Sequence, residues 1–237
     1  MKAAILNEYN KNGCDLEIRD IPIPKVADNE VLVKIRTAGV NPLDNMIVHG
    51  EVKLIVPYSF PLVMGNEFVG IIEKTGSAVK NFSEGDRVYG RMPLKKIGAF
   101  AEYAAIDQSA IAKVPEYLSD EEAACVPLTA LTALQAFELM HLKKGETVFI
   151  SGGTGSLGAM AIPVAKSFGL TVITNGNGAS EERVKKLGAG LDRITEIFKD
   201  THLEASVDEM FSLDDVNWAM KKVASGGSKG KTILKIS

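Results

Sequence analysis

Cysteine is scarce in this chain of 237 residues: there are two, Cys14 and Cys125, far apart in sequence. That excludes a disulfide framework. The pair reads as plain thiols in a reducing compartment, with a single disulfide left open. Histidine is scarcer than a metal site needs. His49, His141 and His202 are scattered and show no metal-ligand spacing. Positive charge is not in excess. The net charge is −3, so no basic surface for nucleic acid is implied. No apolar run approaches the roughly 18 residues of a membrane span, so no membrane partner is expected. The first residues, Met1 to Glu8, turn acidic too soon for a signal peptide. With 46% hydrophobic and 24% charged residues, the composition is that of an ordinary soluble globular protein, with room for one large domain or two small ones, and reduced thiols lead us to expect a cytoplasmic one.

What is present centres on one stretch. Thr147-Val148-Phe149-Ile150 is an apolar run of β-formers. It leads into Ser151-Gly152-Gly153-Thr154-Gly155-Ser156-Leu157-Gly158, and a helix-like run follows from Ala159 to Phe168. Glycines spaced G-x-G-x-x-G between a strand and a helix point to a dinucleotide site. The first glycine makes the tight turn, the second lets a pyrophosphate approach, and the third lets helix and strand pack closely. The anion then meets unpaired N–H groups at a helix N-terminus. The plain alternative is a glycine-rich turn with no ligand. A second strand, Leu170 to Thr174, and a helix, Glu181 to Leu187, follow. The segment Leu191 to Asp200 reads as a further helix and not as a third strand. A full dinucleotide fold has about six parallel strands, so only its opening is found.

The rest of the chain changes texture along its length. Residues 1–115 are rich in short strands: Val31 to Arg36, Phe68 to Glu73, a hairpin-like return at Gly85 to Tyr89, and Phe100 to Ala105. That pattern predicts a small, partly open barrel. From Ser119 helices take over. Ser119 followed by Glu122 forms a capping box, and Leu128 to Leu139 reads as a helix after Pro127. Residues 116–190 hold this helical linker and the nucleotide-binding fragment. Residues 191–237 give a strand at His202 to Ser206, a helix at Leu213 to Val223 and a closing strand at Thr232 to Ile236. Pro163 lies inside the helix after the glycine loop, where it removes a backbone bond.

Several stretches together resemble the medium-chain dehydrogenase/reductases, in the zinc-independent branch of quinone oxidoreductases and enoyl reductases. They are Gly39-Val40-Asn41-Pro42-Leu43-Asp44, Met64-Gly65-Asn66-Glu67-Phe68-Val69-Gly70, Gly85-Asp86-Arg87-Val88, Pro127 to Ala133, the glycine loop, and Gly230-Lys231-Thr232-Ile233-Leu234. Order and spacing agree as well as the motifs themselves. The resemblance implies a mixed α/β fold: a GroES-like β-barrel domain built from residues 1–115 and 191–237, with a truncated Rossmann-type fragment inserted at 116–190. The middle of the Rossmann domain is missing, with the junction near Gly188-Ala189-Gly190.

The resemblance also implies chemistry: NADPH-dependent hydride transfer to a quinone or an activated alkene or enone. Whether a chain so shortened turns over is open. The competing expectation is an inactive, domain-deleted scaffold that associates through an exposed sheet edge, as a homodimer or swapped oligomer. Zinc-dependent relatives carry cysteine where Asn41 stands and histidine where Asn66 stands, so no zinc is expected. Asn41, Asp44 and Thr129 are the candidate catalytic residues. Each also has a plain structural reading: a turn at Asn41-Pro42, a helix cap at Asp44, a helix start at Thr129. Tyr58 either lines the substrate pocket or packs. The cofactor would rest on Gly153, Thr154, Gly155, Ser156, Leu157 and Gly158. At the end of the second strand, Asn175 replaces the acid that NAD sites use for the ribose. With Asn177, Ser180 and above all Arg183 as partners for a 2′-phosphate, this favours NADPH. On charge pattern alone, Arg183 is equally a solvated helix residue beside Glu181 and Glu182.

Overall fold

The computed structural model describes residues 1–153, 155–174 and 205–237. They divide into two compact units. The first comprises Met1–Val114, Glu209–Gly226 and Thr232–Ser237; the second comprises Pro115–Asp208 and Gly227–Lys231. Among the described residues the tail joins the first unit from Glu209, and Gly227–Lys231 stays with the second; the boundary expected at 191 lies outside the described residues.

In the first unit, β1 (Lys2–Leu6) lies between β2 (Glu17–Asp20) and β4 (Leu62–Val63) in a three-stranded antiparallel sheet. A larger sheet is ordered around β3 (Glu30–Gly39). Along β3 the side chains of Val31, Val33 and Ile35 are fully buried while Lys34 and Arg36 face out, the period-two alternation of a sheet with one covered face. β5 (Glu67–Thr75) pairs antiparallel with β3, with shifts of register between Leu32 and Val33 and between Ile35 and Thr37. β6 (Arg87–Arg91) pairs with β5, β8 (Ile111–Lys113) with β6, and β7 (Tyr103–Asp107) with the first half of β3. On the far side of β3 lies the C-terminal strand β12 (Lys231–Lys235), with Ile233 opposite Gly39, and β11 (Val207–Ser212) beyond it.

The core of this unit contains Ile35, Phe68, Ile72, Val88, Phe100, Ile106 and Leu234. Each such side chain contributes about 1.5–3 kcal/mol of burial. Two helices complete it. The short helix α1 (Pro42–Val48) buries Ile47 and Val48. The helix α5 (Val216–Ser225) presents Val216, Ala219 and Met220 at helical spacing to the same core.

The tail elements sit a few residues from where sequence places them. The strand expected at His202–Ser206 lies largely outside the described residues, Ala205 and Ser206 carry no strand, and β11 begins at Val207; the helix expected from Leu213 starts at Val216. The reason for the second shift is local. The Ser212 hydroxyl donates to Asp215 Oδ2 at 2.6 Å and accepts from the Asp215 N–H at 3.3 Å, a side-chain turn that competes with helix. Asp215 then becomes the residue before the first helical turn.

The second unit begins with α2 (Asp120–Ala123). Ser119 and Glu122 form the expected reciprocal capping box, Ser119 N–H to Glu122 Oε2 at 2.8 Å and Glu122 N–H to Ser119 Oγ at 3.1 Å. α3 (Pro127–Met140) packs on α4 (Ser156–Ser167), which runs through Pro163. The span Asp120–Met140 is long and apolar enough, by composition, to cross a membrane, which sequence reading overlooked; half of its most apolar window is buried within the protein. β9 (Thr147–Ile150) and β10 (Thr171–Thr174) form a two-stranded parallel sheet, with Val148 beside Val172 and Phe149 beside Ile173. Both cysteines are free and buried, one in each unit.

Candidate functional site

The glycine loop belongs to the second unit, and its three glycines differ in what surrounds them. A Cβ on Gly153 would lie 2.2 Å from Thr174 Oγ1, whose hydroxyl donates to the Ile150 carbonyl at 2.6 Å. Gly153 is therefore the point where loop and second strand touch. A Cβ on Gly158 would lie 2.2 Å from the Gly152 carbonyl oxygen, so this glycine lets α4 lie against the loop. Gly155 meets nothing nearer than that same oxygen at 3.4 Å. It is the N-cap of α4 and supplies no side-chain cap, which leaves the first N–H groups of the helix without one from that residue. An open glycine ahead of a helix N-terminus fits a diphosphate.

Ser156 opens the helix. Its hydroxyl is already committed to the Gly230 carbonyl at 2.7 Å, while Leu157 points largely to solvent. Thr154, Asn175, Asn177, Ser180 and Arg183 lie outside the described residues, as do the helices expected at 181–187 and 191–200.

Two residues here were overlooked as site residues. Gly230 and Lys231 return to the head of α4. The Lys231 N–H donates to the Ser206 carbonyl at 2.8 Å, and the residue is only 3% exposed. With Cys125, Ser156, Met160 and Ser206 they enclose a space of about 10 Å³, on the order of one water molecule. The signal was present in sequence as a lysine between a glycine and an apolar strand. Thr129 belongs to the same unit. Buried on the first turn of α3, it donates its hydroxyl to the Cys125 carbonyl at 2.8 Å, a bond back to the carbonyl four residues earlier and not an N-cap, which would accept from an N–H.

The first unit holds a different constellation, at the junction of β3, α1 and β5. Pairing of β12 and β5 on either side of β3 sets Val40 against Thr232 and delivers Asn41 to the head of α1. Asn41 is the N-cap, Pro42 supplies a fixed φ for the first turn, and Asp44 reaches back so that the Asn41 N–H donates to Asp44 Oδ2 at 2.7 Å. The other carboxylate oxygen, Oδ1, accepts from Asn66 Nδ2 at 2.7 Å. Asn41 Nδ2 in turn donates to Glu67 Oε1 at 2.8 Å. All four side chains are at most 1% exposed. A buried carboxylate is tolerated only when it is hydrogen-bonded, and bonds to a charged acceptor are the strong ones.

Asn41 and Asp44 are thus brought together, and the capping reading of Asp44 holds alongside any chemical role. Glu67 was named within a motif but not assigned a role. An acid at the head of the apolar run Phe68 to Ile72 was the available signal. Asn66 Oδ1 is buried and has no hydrogen-bond partner among the described residues. Tyr58 donates its hydroxyl to the Leu94 carbonyl at 2.7 Å and its ring packs on the core. Burial pushes the phenol up from its ordinary value.

The donor set does not fit zinc. Amides stand at 41 and 66, their Nδ2 groups turn toward carboxylates, and no group of three or more His, Cys, Asp or Glu side chains gathers among the described residues.

Residues 27–116 match the alcohol dehydrogenase GroES-like domain, and residues 124–234 match a family described as zinc-binding dehydrogenase. The chain is 33% identical over 239 residues to 2-methylene-furan-3-one reductase of Solanum lycopersicum, an alignment that covers 96% of this chain and 61% of the relative. It is 33% identical over 219 residues to quinone oxidoreductase of Sus scrofa, covering 90% of this chain and 58% of the relative. The chain therefore spans about three fifths of the length of these relatives. Among solved structures, a mycobacterial protein complexed with NADPH superposes with a TM-score of 0.80 at 21% identity over all of both chains, a likeness of fold. A GroES-like unit, a Rossmann-like glycine loop and these relatives together show that the chain belongs to the medium-chain dehydrogenase/reductase superfamily, in its quinone oxidoreductase branch.

Proposed function

We propose that the chain is a zinc-free, NADPH-dependent oxidoreductase by descent, acting on a quinone or an activated alkene or enone. It is shortened by an internal loss near Gly188-Ala189-Gly190 that weakens nucleotide binding. One observation carries the reading: Gly155 stands open at the uncapped head of α4 while Gly153 and Gly158 are hemmed in by protein. Such a loop is shaped for an outside anion. NADPH, when bound, supplies the hydride. The residues of this chain hold the diphosphate at α4, and Asn175, Asn177, Ser180 and Arg183 take the 2′-phosphate. Asn41 presents a polar group whose orientation Asp44 and Glu67 fix. Thr129, with its proton given to the Cys125 carbonyl, keeps its oxygen lone pairs as acceptors. No nucleic acid or membrane partner is part of this reading, and two buried thiols suit residence in the cytoplasm.

Fluorescence titration with NADPH and NADH, beside a full-length relative, tests it. The expected result is saturable NADPH binding, weaker than the relative's and tighter than that of NADH. No binding, or NADH binding as tightly as NADPH, would overturn the assignment.

A second reading, a self-associating scaffold, is favoured by one specific feature. Phe149 and Ile173 are register neighbours on the sheet face opposite the buried Val148 and Ile150, and they are 62% and 54% exposed. Parallel strands normally have both faces covered. Pairing or swapping with a second copy would cover them. Light scattering after size exclusion decides this, and a strict monomer at all concentrations sinks it.

A further inference from the structure

The first unit contains a second concavity whose lining includes none of Asn41, Asp44, Asn66 or Glu67. Its volume is about 210 Å³. The walls are Ile21, Pro22 and Pro24 from the extended segment after β2, Val63 from β4, and Ile97 and Ala104. Ile21 and Val63 pack against a small apolar cluster of Ala3, Ile5 and Ala101, which backs the groove. The two prolines hold their segment at fixed φ, so this wall is stiff without being part of a sheet.

The charges around the groove are of one sign. Lys25 and Lys96 are in the lining, and no aspartate or glutamate is. Lys96 forms an ion pair with Glu30. Lys25 has no ion-pair or hydrogen-bond partner among the described residues. An apolar hollow with an unpaired ammonium at its rim and no carboxylate in its lining is complementary to an amphiphilic anion. The size is selective too. Sites for drug-sized ligands begin near about 300 Å³, so the occupant is smaller than that and far smaller than a dinucleotide.

We propose that this groove binds a short apolar monocarboxylate. The tail lies against Ile21, Pro24, Val63 and Ile97, and the carboxylate lies toward Lys25. The proposal is independent of the nucleotide site.

Calorimetric or ligand-observed NMR titration of the full chain with hexanoate, hexanol and inorganic phosphate tests it. Hexanoate should bind saturably, and its affinity should fall as salt rises, because an exposed charge is screened. Hexanol and phosphate should each bind more weakly, one lacking the charge and the other the tail. Lys25→Met should weaken hexanoate about twofold to fivefold, the reach of one exposed charge, and leave hexanol unchanged; Lys25→Glu should weaken it further. Thermal unfolding of both variants checks that the fold is kept. No saturable hexanoate binding, hexanol or phosphate binding as tightly as hexanoate, or indifference to Lys25→Glu would each overturn the proposal.

Discussion

Removing the Asp44 carboxylate tests the buried cluster, and the structure separates two substitutions sharply. Asp44 accepts the Asn41 N–H on one oxygen and Asn66 Nδ2 on the other, both at 2.7 Å and both out of reach of water. Asp44→Ala strands two buried donors. Each unsatisfied donor costs about 1–3 kcal/mol, so the two together cost about 2–6 kcal/mol. Asp44→Asn is milder. Its oxygen can keep the Asn41 N–H, and its new amide nitrogen faces Asn66. Asn66 can turn its own amide over, because its Oδ1 has no partner to lose among the described residues. The expected cost is then about 1–2 kcal/mol, roughly that of exchanging charge-assisted bonds for neutral ones. The assay is urea unfolding followed by Trp218, the single tryptophan, which lies on α5 in the same unit. Asp44→Ala within about 0.5 kcal/mol of the parent, the scatter of an ordinary surface change, would refute the reasoning. Asp44→Asn as damaging as Asp44→Ala would show that the negative charge itself, and not hydrogen-bond count, holds the cluster.

Gly158→Ala should lower NADPH affinity by up to about thirtyfold, since the new methyl meets the Gly152 carbonyl at 2.2 Å and must displace the loop; strain of about 1–3 kcal/mol, offset by alanine's helix preference of about 1 kcal/mol, leaves up to about 2 kcal/mol. Unchanged titration curves would contradict this. Burial, with the Asp15 carboxylate adding to it, pushes the Cys14 thiol up from 9.0 to about 11. The unfolded chain then ionises first, so the contribution of this thiol is complete below pH 9 and is lost as pH rises toward 11. Cys14→Ala should flatten the alkaline fall in stability, and an identical slope in the variant would refute the linkage. Elemental analysis should find no stoichiometric zinc that survives chelation, because amides occupy positions 41 and 66; retained metal would overturn the zinc-free proposal.

Much of this protein was legible in one dimension. The period of Val31, Val33 and Ile35, the Ser119–Glu122 cap and the spacing of Gly153, Gly155 and Gly158 are local. They determine strand, helix start and strand–loop–helix from neighbours in the chain. The same local reading raises an expectation for metal: two cysteines and three histidines without ligand spacing point away from a Cys/His zinc cluster, which elemental analysis tests. Tertiary structure decided what depends on residues far apart in sequence. That Glu67, an acid in an apolar strand, should face the Asn41 amide follows only from the register that sets Gly39 opposite Glu67. That Asn66 should spend its amide nitrogen on Asp44 requires α1 and the head of β5 to meet. The return of Gly230 and Lys231 to the head of α4 depends on where a strand 74 residues beyond Ser156 comes to rest. Sequence carries the short-range hydrogen bonds because their partners are neighbours along the chain. The buried polar cluster exists only because long-range packing removes water and brings those four side chains within hydrogen-bond reach of one another.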